Sequence, residues 1–182
     1  MKDWIFYPLI LAVIGASVAF ALSLGGPRER LSVEGVRAQG YGLSGDDLIQ
    51  LTASPGTELL VGGGTAKALQ IQSQAEAPPS AGVFLTLPPT AETAFGGQDI
   101  RVKWRLRSEA PTEVRLGYFT IGNGDSGWTN RAVGRDWQEV EMVFRPGVPS
   151  DEGFDYAGMW PGTGAPTGIP IEIESVRVEL AR

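Results

Sequence analysis

Hydrophobic and polar positions divide this chain into two unlike parts. Trp4 to Leu24 (WIFYPLILAVIGASVAFALSL) is 21 positions without a charge. Wound as a helix, it reaches about 31 Å, enough to cross the hydrocarbon core of a bilayer. After Pro27 the apolar runs are short and alternate with polar residues at the period of a strand. The pattern predicts one membrane helix over residues 1–26 and one all-β domain over residues 27–182, a jelly-roll-type sandwich.

Ile100 to Arg107 is the clearest strand. Ile100, Val102, Trp104 and Leu106 share one face, while Arg101, Lys103, Arg105 and Arg107 share the other. Trp137 to Arg145 alternates likewise, with Val140, Met142 and Phe144 inward and Glu139 and Glu141 outward. If the two strands are neighbours, their charges pair across the sheet, and Glu172 and Glu174 can do the same. Val83 to Leu87 and Val114 to Ile121 are further strands, the first with Val83, Leu85 and Leu87 on one face and the second with Val114, Leu116 and Tyr118 on one face. Ile169 to Leu180 changes phase: Ile169, Ile171 and Ile173 are odd, Val176, Val178 and Leu180 even, so a bulge is expected near Glu174 or Ser175. Shorter strands are expected over Leu48 to Thr52, Glu58 to Val61 and Ala68 to Gln72, the last with Leu69 and Ile71 inward. Leu31 to Val36 points to a first strand, interrupted at Gly35. Gly62 to Gly64 reads as a flexible connection, and no stretch after Leu24 shows helical periodicity beyond one or two turns.

Inside the apolar run, Ala12, Gly15, Ala16, Ala19 and Ser23 recur at spacings of three and four, which makes one stripe of a helix. Such stripes let membrane helices approach closely, although membrane helices are rich in Gly and Ala in any case. Trp4 and Tyr7 suit an interfacial belt. Ala19-Phe20-Ala21 offers a signal-peptide cleavage site, but the run is longer than the usual 7–15-residue core of such a peptide, so retention as a signal-anchor is expected. Lys2 against Arg28, Arg30 and Arg37 leans towards a cytoplasmic β domain. The plan of a tiny head, a long apolar run and a β tail leans towards the periplasmic side of the inner membrane, which we expect.

Composition narrows the chemistry. Lys2 and Asp3 cancel, so the formal charge of −6 falls on the later part, a mildly acidic surface that argues against nucleic acid as a partner. There are no Cys and no His. That excludes disulfides, thiolate chemistry, Ser-His-Asp triads and the usual zinc and haem ligands. No spacing marks a carboxylate pair, so no catalytic residue and no cofactor is expected. Calcium stays open as an oxygen-ligated ion.

Three segments carry a resemblance. Gly134-Arg135-Asp136-Trp137-Gln138-Glu139-Val140 with Met142-Val143-Phe144, the closing Ile171 to Leu180, and Ile100 to Ser108 resemble strands of carbohydrate-binding-module-like (galactose-binding-like) jelly rolls. The resemblance implies a jelly-roll fold and an exposed aromatic platform for glycans. Glu174 stands where such modules often carry an Asp that helps hold a structural calcium. The candidate platform residues are Trp128, Tyr156 and Trp160 on loops, with Met159 beside them and Tyr118 less favoured. Asn123, Asp125, Asn130, Arg131 and Asp155 are candidate polar partners. Gly153 to Gly168 (GFDYAGMWPGTGAPTG) is the most distinctive loop. Two functions follow. One is an accessory subunit docked by its helix to other membrane-protein subunits; the other is a membrane-tethered glycan binder. The first is set slightly ahead, on the small-residue stripe, the absence of catalytic groups and the aromatic, proline-rich loop.

Overall fold

The computed structural model describes residues 31–76, 81–121, 124–148 and 153–181. The apolar run and its stripe Ala12, Gly15, Ala16, Ala19 and Ser23 lie outside the described residues, as does Asn123. Among the described residues no helix is long and apolar enough to cross a membrane. The described residues form two short α-helices, α1 (Val33–Gln39) and α2 (Pro89–Phe95), and eleven strands: β1 (Tyr41–Ser44), β2 (Thr52–Ala53), β3 (Thr57–Gly62), β4 (Thr65–Gln70), β5 (Val83–Thr86), β6 (Ile100–Ser108), β7 (Thr112–Phe119), β8 (Thr129–Val133), β9 (Gln138–Phe144), β10 (Tyr156–Trp160) and β11 (Ile171–Leu180). The all-β expectation holds.

One sheet runs β3-β4-β11-β6-β9, and β1 adds to β11 beside β4. All its pairs are antiparallel. The second runs β10-β7-β8, and a β2-β5 ladder joins it through a parallel bridge between Gly82 and Met159. The facing sides bury Val102, Trp104, Leu106, Val114, Leu116, Tyr118, Ile173 and Val178, each fully enclosed. Alternation therefore placed the core of β5, β6, β7, β9 and β11 correctly. The expected bulge is present, since the β11–β6 register shifts between Ile173 and Ser175. It lies where β11 changes partner on its other edge, from β4 at Ile171–Ile173 to β1 at Ser175–Val178.

The outer face of the six-stranded sheet is a charge ladder. Glu172 binds Lys67 at 3.1 Å and Arg107 at 2.5 Å; Arg105 pairs with Glu174, Lys103 with Glu179 at 2.9 Å and Glu139 at 3.4 Å, and Arg101 with Glu141 at 3.4 Å. All four cations of β6 are thus paired, as the alternation predicted. Arg107 also lies over Trp137, 4.6 Å from the ring centroid.

Several elements differ from expectation. Val33–Gln39 is helical because Ser32 caps it, its Oγ accepting from Gly35 N–H at 3.0 Å. Glu34 in the first turn and Arg37 in the last suit the helix dipole. Leu48 to Thr52 is no strand: a 3₁₀ turn covers Gly45–Gln50, and it buries Leu48 and Leu51, three apart, while Ile49 is 74% exposed. Gly63 and Gly64 take φ of 61° and 74°, which makes a tight two-residue hairpin instead of a loose connection. In β4 the phase is opposite to that expected. Ala66, Ala68 and Gln70 point inward, while Ile71 is 45% exposed.

Candidate functional site

The outer face of the second sheet carries the aromatic residues. Along β10, Ala157 and Met159 alternate into the core, so Tyr156, Gly158 and Trp160 point outward. Along β7 the core takes Val114, Leu116 and Tyr118, so Glu113, Arg115, Gly117 and Phe119 point outward. Register then sets the outward residues in rows. Tyr156 lies opposite Phe119, Gly158 opposite Gly117, and Trp160 opposite Arg115. Arg115 in turn lies opposite Asn130 of β8. On the other flank, Phe84 of β5 meets Tyr156 edge-on, centroids 5.1 Å apart.

Register pairs Tyr156 with Phe119, and ring contacts extend this pair into a row of four: Phe84 at the Tyr156 end and, at the other, Trp128 just before β8, which tilts against Phe119 at 4.9 Å. All four are half-buried. At strand spacing the row is about 14 Å long. Two glycines make room for the Phe119 ring. A Cβ on Gly117 would fall 2.6 Å from Phe119 Cζ, and one on Gly158 would fall 3.0 Å from Phe119 Cε2. The Phe119 ring thus lies down on a bare strip of backbone instead of standing off the sheet. The rings step rather than lie in one plane, at 84° between Phe84 and Tyr156 and 60° between Phe119 and Trp128, and a preorganised aromatic surface of this kind meets a ligand at small entropic cost.

Polar groups flank the row. Arg115 donates to Gln74 and, at 2.9 Å, to Thr163 O. Gln70 Nε2 donates to Gly164 O at 2.7 Å. These bonds draw residues 70–76 and 161–164 over Trp160. Trp160 is consequently fully buried although it faces away from the core, and its indole N–H has no hydrogen bond among the described residues. Glu113 and Asn130 are exposed on the same face.

The sequence candidates fall into three groups. Trp128 and Tyr156 belong to the aromatic row. Met159 and Trp160 do not present a surface: Tyr156 to Trp160 is a strand, not a loop, Met159 is part of the core, and both are fully buried. The polar candidates hold the scaffold. Asp125 Oδ1 accepts from Thr120 N–H at 3.1 Å, and Ser126 Oγ accepts from Tyr118 N–H at 2.7 Å, so together they shape the β7–β8 connection. Arg131 faces the sandwich interior at its rim, where its Nε donates to Glu141 O at 2.7 Å and ties the two sheets together. Glu174, the residue weighed for calcium, is taken by Arg105.

Asp155 is half-buried just before β10. Its Oδ2 accepts from the buried Tyr118 hydroxyl at 2.7 Å, and its N–H donates to Glu92 Oε1 at 2.7 Å. Burial pushes the Asp155 carboxyl up, partly offset by the Tyr118 bond. Burial also raises Glu92, which its bond from Asp155 N–H counters and the Asp155 charge reinforces. Burial, with the Asp155 charge, raises the Tyr118 hydroxyl strongly. The group fixes the start of β10 and hence the seat of Tyr156.

The sequence reading missed Phe84, Phe119, Arg115 and the two glycines. A signal for the aromatics was present: Phe84 and Phe119 sit on the polar phase of otherwise alternating strands, where a large ring needs a reason.

No protein-family model and no curated sequence matches this chain. Solved structures match its fold. One is the N-terminal CBM22-1–CBM22-2 tandem domain of Paenibacillus barcinonensis Xyn10C. It aligns at TM-score 0.53 and 15% identity over 79% of this chain and 46% of that one. Another is the second N-terminal cellulose-binding domain of Cellulomonas fimi β-1,4-glucanase C, at TM-score 0.51 and 12% identity over 76% of this chain and 92% of that one. At these identities the likeness is one of fold, the jelly-roll sandwich of carbohydrate-binding modules.

Proposed function

We propose that this chain is a non-catalytic glycan-binding protein, held at the membrane by its apolar run with the β domain on the periplasmic side. The aromatic row Phe84–Tyr156–Phe119–Trp128 carries this reading. Sugar rings offer C–H faces that pack on aromatic faces, and hydroxyls at their rims that need polar partners. A row of four rings, three on strands β5, β10 and β7 and one just before β8, suits a chain of sugars better than a single one. The fold likeness supports the same reading but does not name the sugar. We rank it above the accessory-subunit reading, because a docked subunit gives no account of an aromatic row on an outer sheet face.

The test uses the full chain in a non-glycosidic detergent, incubated with insoluble cellulose, xylan and peptidoglycan. Retention on at least one polysaccharide is expected. Trp128→Ala and Tyr156→Ala should each weaken it about 10-fold, the loss typical of a central contact residue. Retention by none of the polysaccharides, or equal retention of the double variant, would refute the proposal.

A further inference from the structure

A second concave feature lies on the six-stranded sheet, remote in residues from the aromatic row. A cleft of about 450 Å³ opens between the last turn of α1 and the outer side of β6 and β11, lined by Arg37, Arg101, Arg177 and Glu179. A second depression of about 390 Å³ shares Gln39, Gly40 and Arg177 with it and continues along β1 to Ser44 and Ser175. Together they form one groove with three guanidiniums at one end and two hydroxyls at the other.

Glycines shape the groove. Gly40 ends α1 with φ 79°, and a Cβ there would stand 2.7 Å from Val178 O, so only glycine lets the helix close down on β11. A Cβ on Gly42 would stand 2.3 Å from Val176 O, so the floor between the two ends carries no side chain.

Three arginines in one cleft are notable in a chain of net charge −6. The carboxylates around them are few and shared. Glu179 serves both Lys103 at 2.9 Å and Arg177 at 3.5 Å. Glu141 meets Arg101 at 3.4 Å, yet Arg101 Nε is buried without a hydrogen bond among the described residues. Arg37 has no ion-pair partner among the described residues; its Nε donates to Ala94 O at 3.2 Å. The last turn of α1 also turns carbonyls this way, which disfavours an anion. Arg177 takes up one of them by donating to Gln39 O, and Gly40 N–H takes up Val36 O.

We infer that this groove binds a polyol phosphate, either free or as the headgroup of a membrane lipid. The guanidinium fork matches two oxygens of a phosphate, and a phosphate, unlike a carboxylate, offers enough oxygens for several forks at once. The hydroxyls of Ser44 and Ser175 stand where the polyol would extend. The groove shares no residue with the aromatic row, so this inference and the glycan proposal fail independently.

The test uses the full chain in phosphatidylcholine nanodiscs, titrated calorimetrically with glycerol 3-phosphate. Saturable binding is expected, and Arg101→Gln and Arg177→Gln should each weaken it about 10-fold, the loss of a charge-assisted contact. Arg101 supports no backbone carbonyl, so its variant keeps the test decisive even if Arg177→Gln loses its fold. Phosphatidylglycerol nanodiscs separate the sources. Weaker apparent binding there means that lipid headgroups occupy the groove, and unchanged binding means that the ligand is free in solution. Absence of saturable binding in phosphatidylcholine discs, or binding that Arg101→Gln leaves unchanged, overturns the inference.

Discussion

Removing one hydroxyl tests how the aromatic row is seated. Tyr118→Phe keeps a fully buried ring, its packing 5.7 Å from Phe144, and the shape of the core. It deletes only the 2.7 Å bond to Asp155 Oδ2. A hydrogen bond to a charged group contributes about 1.5–3 kcal/mol. Asp155 is half-buried, so water replaces part of it, and we take about 2 kcal/mol. For a domain of this size that lowers the melting temperature by about 4–8 °C. The penalty also depends on pH. Burial raises the Asp155 carboxyl, so the folded state holds that proton more tightly than the unfolded chain. This group therefore stabilises the fold in acid, and the contribution is lost as pH climbs from the ordinary carboxylate value through the raised folded value. Tyr118 is the contact that pulls the Asp155 value down. Its loss moves the folded value higher still, so the penalty should be largest near neutrality and shrink towards pH ~4. Thermal melts of the full chain by circular dichroism between pH ~4 and ~8 measure both effects. A variant that melts within about 1 °C of the parent at neutral pH, or a penalty equal at both ends of that range, would refute the reasoning.

Two further perturbations follow from the sheets. Gly158→Ala puts a Cβ 2.4 Å from Ala81 O and 3.0 Å from Phe119 Cε2, so it should cost about 1–3 kcal/mol and lift Phe119 from its floor. A melt like the parent's, together with unchanged polysaccharide retention, contradicts this. Glu172→Gln removes the negative charge shared by Arg107 and Lys67, at a cost of about 1 kcal/mol near neutral pH. Those partners, Arg107 first, hold the Glu172 carboxyl below its ordinary value. Its stabilisation is therefore present above the ordinary value and is lost as pH falls. Acid melts should accordingly show a shallower decline in the variant than in the parent, and parallel declines would exclude the effect.

What the sequence discloses depends on how many sides of an element are covered. β6 has one buried face and one wet face, so Ile100 to Arg107 announces itself by alternation, and the pairing of its cations could be foreseen from the glutamates of β9 and β11. β10 is covered on both faces, by the core through Ala157 and Met159 and by the Arg115-bound loops over Trp160. Its run YAGMW therefore shows no period and reads as loop. The two helices are seven residues each, too short for a helical period, although Ser32 before α1 and Pro89 at the start of α2 are local start signals. β4 misleads because its inward positions, Ala66 and Ala68, are small, so the larger Leu69 and Ile71 set the apparent phase. The aromatic row needs register, and register is a property of pairs of strands. Trp128 and Tyr156 could be picked as aromatic residues, but their alignment with Phe84 and Phe119 could not.

The position of β11 has a consequence for biosynthesis. It is the last of the eleven strands in chain order, yet it lies inside its sheet, with β6 on one edge and β4 and β1 sharing the other. While the chain is being made, β1, β4 and β6 therefore wait with that edge unpaired. Pairing over such long separations is slow to nucleate. The sheet is completed only when β11 pairs with β6, β4 and β1, which makes β11 its keystone.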